Sequence, residues 1–81
     1  MAVMYSVYVG RYETPGVSKH ELQKLNKMGL KGYLFSRGDH YALKVFSTIE
    51  KQSAEGFARK LGQAGLVTEI EELDLSKLNR R

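Results

Sequence analysis

Eighty-one residues leave room for one domain, since a domain takes ~100–200 residues. An apolar fraction of 42% with 27% charged residues excludes a disordered or collagen-like chain, and the absence of cysteine excludes a disulfide framework, a thiolate metal site and a cysteine nucleophile. Thirteen basic against nine acidic residues give a net charge of +4, which admits nucleic acid, an anionic glycan or a lipid surface as partner and selects none of them.

The first five residues, Met1-Ala2-Val3-Met4-Tyr5, lack the basic patch and apolar stretch of a signal peptide, and no apolar run is long enough to insert in a membrane. Tyr5 to Val9 alternates apolar residues with polar or exposure-tolerant ones, the period of a half-buried strand. Thr14-Pro15-Gly16 breaks that strand. Ser18 with Glu21 reads as a capping box, Leu22, Leu25 and Met28 follow at helical spacing, and Gly29 ends the helix as a left-handed cap. Lys31 to Ser36 reads as a second strand, and Arg37-Gly38-Asp39 as a tight turn into a third at Tyr41 to Val45. Ser47 and Glu50 repeat the capping box. Ala54, Phe57, Ala58, Leu61 and Ala64 form an apolar stripe that Gly65 terminates, and Val67 to Glu72 reads as a fourth strand. The domain is expected to span residues 1–73. Residues 74–81 form a basic tail with only Leu75 and Leu78 to dock, predicted to fray or to hold one loose helical turn.

The chain matches itself at a shift of 36 residues, the spacing from Tyr5 to Tyr41. Val7 and Val9 fall on Leu43 and Val45, Leu25 on Leu61, Gly29 and Leu30 on Gly65 and Leu66, and Leu34 on Ile70. Two copies are too few to stack a solenoid, so they are expected to close on each other. The predicted fold is α+β with β-α-β-β-α-β order. It is a ferredoxin-like, RNP-like sandwich with a four-stranded antiparallel sheet, both helices on one face and an internal pseudo-repeat.

Strand parity then assigns the faces. With Val7, Val9, Leu34, Leu43, Val45 and Ile70 toward the helices, the other face carries Tyr8, Tyr33 and Phe35, with Lys31 and Lys44 among them. His40, Glu69 and Glu71 point the same way, and Arg11 and Tyr12 end the first strand near the rim. Aromatic rings beside cations suit an anionic sugar, whose apolar face packs on a ring while its carboxylate meets a lysine or arginine. The candidate ligand-binding residues are therefore Tyr8, Arg11, Tyr12, Tyr33, Phe35 and Lys44.

Tyr5-Ser6-Val7-Tyr8-Val9-Gly10-Arg11-Tyr12 and Tyr41-Ala42-Leu43-Lys44-Val45-Phe46-Ser47-Thr48, each followed by an apolar helix ending at Gly, resemble the two halves of the bacterial sporulation-related repeat (SPOR) domain. That family reads Tyr-x-Val-Gln-Val-Gly-Ser-Phe and then Tyr-x-Val-x-Val-Gly-Pro-Phe. The resemblance covers about residues 5–72, and this chain departs from it at Tyr8, Arg11 and Phe46. It implies binding of peptidoglycan glycan strands stripped of stem peptides, through the open sheet face, in cell division, wall lysis or sporulation. It also implies the bacterial cell envelope if the chain is an excised domain, while the lack of a signal peptide implies the cytoplasm if the chain is complete.

Two other readings use the same face. An RNA-recognition-like module would stack bases on it, but Ala42 and Lys44 stand where its rings belong, so nucleic acid ranks lower as a partner. A protein-interaction or self-association module is the other. Arg37-Gly38-Asp39 spells an integrin-type tripeptide that turn chemistry already explains, and Gly29-Leu30-Lys31-Gly32 leads from helix to strand, unlike a KH loop. With two histidines, no phosphate loop and no evident triad, the sequence offers no catalytic residue, no metal site and no cofactor.

Overall fold

The computed structural model describes residues 2–16 and 19–77. Its elements are β1 (Val3–Tyr12), α1 (Lys19–Lys27), β2 (Tyr33–Ser36), β3 (Tyr41–Thr48), α2 (Lys51–Gln63) and β4 (Thr68–Asp74), with a 3-10 turn at Leu75–Lys77. The strands lie in the order β2-β3-β1-β4, each antiparallel to its neighbours. This is the expected α+β, ferredoxin-like arrangement.

The internal repeat is visible in the helix ends. Gly29 and Gly65 take positive φ of 76° and 89°, a region open to glycine at no steric cost. Leu30 N–H donates to the Leu25 carbonyl at 3.0 Å, and Leu66 N–H to the Leu61 carbonyl at 3.1 Å. Each helix thus stops in the same Schellman turn, with a leucine following the glycine back toward the core.

Val7 and Val9 of β1, Leu43 of β3, Leu25 of α1, Ala54, Ala58 and Leu61 of α2, and Leu66 form one buried cluster between sheet and helices. Phe46 seals one side by stacking on Phe57 of α2, with centroids 4.4 Å apart. Leu34 and Ile70, expected in this core, are exposed, because each sits on an edge strand with a neighbour on one side only.

Two bulges reset the parity. Val7 pairs with Phe46 but Tyr8 with Lys44, so Val45 is an extra residue and Phe46 takes the inward position opposite Val7. Further along, Val9 pairs with Leu43 and Tyr12 with Tyr41, so Gly10 and Arg11 oppose Ala42 alone. Gly10 has φ of 84°. Past this bulge Tyr12 packs against the core cluster, its ring folded over Gly10, where a Cβ would collide with it.

The expected capping box at Ser47 and Glu50 does not form. β3 runs on through Thr48, and Ser47 instead faces Ser6 across the ladder, Oγ to Oγ 3.2 Å. Glu50 is the residue before α2, with no side-chain cap of its own. Its N–H donates to Thr48 Oγ1 at 3.1 Å, and Ser53 Oγ donates to its carboxylate at 2.8 Å. The other expected box, at Ser18 and Glu21, includes Ser18, which lies outside the described residues. At the C-terminal end Asp74 pairs with Val3, and Leu75 N–H donates to the Ala2 carbonyl at 2.8 Å. Residues 78–81 of the predicted tail lie outside the described residues.

Candidate ligand-binding face

Four successive residues of β1, Ser6 to Val9, are buried, although only Val7 and Val9 face the helices. Tyr8 lies on the helix-free face, as parity requires, yet it is 4% exposed. The Arg37 guanidinium lies over its ring, 4.3 Å from the centroid. The Phe35 ring meets it edge-on at 6.2 Å and 87°. Its hydroxyl donates to Glu71 at 2.9 Å. Burial, and then the Glu71 hydrogen bond, push the Tyr8 phenol pKa up. Tyr8 is thus on the expected face but not open on it: a long cation from the β2–β3 turn roofs it.

Arg37 belongs to a lattice of ions across this end of the sheet. Its Nη1 lies 2.9 Å from a Glu71 carboxylate oxygen and its Nε 3.8 Å from Glu69, both ion contacts. His40, 8% exposed, sits between two carboxylates: Nδ1 is 2.6 Å from Asp39 and Nε2 is 2.8 Å from Glu69. Asp39 also accepts from Arg11 at 3.1 Å. The hydrogen bonds to Glu69 and then Asp39 raise the His40 pKa, while the His40 bond, aided by Arg11, lowers that of Asp39. Arg11 and Asp39 are well exposed, so their pair contributes little by itself.

The other end of the same face is open. Lys31, Tyr33, Phe35, Lys44, Val45, Phe46 and Ser47 line a groove of about 300 Å³. It lies where β2 begins, at the Tyr33–Lys44 pair, beyond which β3 continues to Thr48. Tyr33 is 60% and Phe35 44% exposed. Lys44 Nζ stands 5.3 Å from the Phe35 ring centroid. Apolar ring faces beside two ammonium groups in a shallow, solvent-open cleft can pack a flat ligand and hold its anionic substituents.

The fold has a counterpart of known structure. The solution structure of the peptidoglycan binding domain of the B. subtilis cell wall lytic enzyme CwlC is similar to this chain with a TM-score of 0.63 at 15% identity, over 91% of this chain and 94% of that one. No family model matches the sequence, and no curated protein matches it either. At that identity the likeness shows a shared fold.

The six candidate residues divide by environment. Tyr33, Phe35 and Lys44 come together in the groove, joined by Lys31. Tyr8 meets Phe35 in an edge-to-face contact. Arg11 is turned to Asp39, and Tyr12 lies on the helix side, away from the face on which the others gather. The residues that sequence reasoning passed over are Arg37, His40, Glu69 and Glu71. A signal was present: two carboxylates at alternate positions of one strand share a face, and such a pair calls for cations nearby. Among the described residues no group of His, Asp and Glu is arranged to hold a metal ion, and no helix is long and apolar enough to cross a membrane.

Proposed function

We propose that this chain is a non-catalytic module that binds bacterial peptidoglycan through its glycan strands, with the groove beside β2 as the contact surface. The observation that carries the reading is the pairing of two exposed rings, Tyr33 and Phe35, with Lys31 and Lys44 on the helix-free face. A sugar ring packs its apolar face on an aromatic side chain, and the lactyl carboxylates of a glycan without stem peptides would meet the two ammonium groups. The likeness of the fold to a domain that binds peptidoglycan supports the same reading.

The test is retention on purified sacculi, with and without prior amidase treatment. Retention should rise after amidase treatment. Tyr33→Ala and Phe35→Ala should abolish it, and Lys44→Ala should weaken it. Folded variants that still bind would overturn the assignment of the groove. Retention that ignores the rings and collapses steeply with added salt would point instead to phosphate recognition.

A further inference from the structure

The groove is carried by β2, β3 and the segment leading into β2, and β2 is a four-residue edge strand that pairs with β3. The β3–β1 ladder joins this hairpin to the sheet, and its turn adds a second tie that reaches one strand further. Arg37 and His40 both reach over β1 to β4, to Glu71 and Glu69. We propose that His40 is a positioning residue for the groove: as an imidazolium it pins the β2–β3 turn to β4, so that the ligand surface is ordered when His40 is protonated and loosens when it is not. This rests on the proposed function for its ligand, but the pinning itself is a property of the free protein.

The geometry requires the charged form. A carboxylate only accepts hydrogen bonds, and His40 presents one ring nitrogen to Asp39 at 2.6 Å and the other to Glu69 at 2.8 Å. Both nitrogens must carry protons for both contacts to be bonds. A neutral ring turns a lone pair on one carboxylate and loses that contact. Around the ring, Asp39 and Arg37 come from the turn, Arg11 from β1, and Glu69 from β4. Glu71 of β4 and Tyr8 of β1 join through Arg37. The two carboxylates in contact outweigh the more distant cations, and the His40 pKa is accordingly raised. From the turn the tie runs to the groove by contact: Arg37 covers Tyr8, and Tyr8 holds the edge of Phe35.

The sign follows. A raised folded-state pKa means that the contribution of His40 is fully present below its unfolded value and is lost as pH rises through the folded value. Between about pH 6 and pH 9 lysine ammonium groups and glycan carboxylates keep their charges, so a change in that window comes from few groups. His20, on α1, is the other histidine.

Two measurements test this. In the ligand-free protein, the His40 ring signals followed by NMR should titrate above the ordinary histidine value, and the ring signals of Phe35 and Tyr8 should move with the same midpoint. Asp39→Asn should shift that midpoint down. Retention on amidase-treated sacculi should fall several-fold across the window, with the same midpoint, and His40→Gln should flatten the profile while His20→Gln leaves it unchanged. An ordinary His40 midpoint, or Phe35 and Tyr8 signals that ignore it, would overturn the pinning even if sacculi are bound. If the sacculi are not bound at all while the NMR couplings hold, the pinning stands and the glycan reading falls.

Discussion

Strand β1 is buried on both sides by opposite means. On the helix side Val7 and Val9 meet Leu25, Leu43 and Leu61 in a dry apolar cluster. On the other side Tyr8 is covered almost as completely, but by a guanidinium held between two carboxylates, with an imidazole beyond it. The apolar side gains its stability from area removed from water, which depends little on salt or pH. The ionic side depends on matched partners, since any one removed leaves another uncompensated on a half-dry surface. Burial alone thus does not distinguish a hydrophobic core from an electrostatic roof, whereas the response to mutation and solvent does.

The largest effect is expected on the helix side. Leu61 is fully buried at the centre of the cluster, beside Ala54 and Ala58 on the same helix. Leu61→Ala should cost ~2–5 kcal/mol, by lost transfer energy and the cavity left behind. Denaturant unfolding measures this, and the loss should be nearly independent of salt. A strong salt dependence would mean that the two sides are not separable.

The ionic side should respond less, and differently. Arg37→Met keeps most of the stem that covers Tyr8 but leaves Glu69 and Glu71 without the guanidinium between them. A cost of about 1–3 kcal/mol is expected, the range for an unsatisfied partner in a partly buried setting. Tyr8→Phe is milder still: the ring contacts with Arg37 and Phe35 stay, and only the hydrogen bond to Glu71 goes. The expected loss is about 1 kcal/mol. A loss as large as that of Leu61→Ala would make the hydroxyl, and not the roof, the main support of this face.

This asymmetry also explains what could be read from the chain. The 36-residue spacing that sets Leu25, Gly29 and Leu30 on Leu61, Gly65 and Leu66 is local chemistry used twice, and both helix ends obey it. Parity put Tyr8, Lys44, Glu69 and Glu71 on the helix-free face correctly, because alternation is a local property. The bulges at Val45 and at Gly10 and Arg11 were not legible, since each depends on how two strands 36 residues apart settle their register. One of them carries Tyr12 to the helix side. Nor was the roof. Arg37 and His40 read as turn residues, and their partners lie 34 and 29 positions further on, in a strand that is not their neighbour in the sheet. Long side chains crossing a strand leave no periodic trace.

The smallest effect on stability should come from the residue with the largest proposed effect on binding. Tyr33 is on the edge strand, 60% exposed, opposite Lys44 and outside both the apolar cluster and the ionic lattice. Tyr33→Ala should therefore change stability by no more than about 0.5 kcal/mol, as surface substitutions away from special features do. Phe35→Ala is a less clean probe, because Phe35 also supports Tyr8. If Tyr33→Ala leaves the unfolding midpoint in place and removes retention on amidase-treated sacculi, the ring serves the ligand and not the fold. If it destabilises the protein by as much as Arg37→Met, the groove is part of the roof. The division of the helix-free face into a closed ionic end and an open aromatic end would then be wrong.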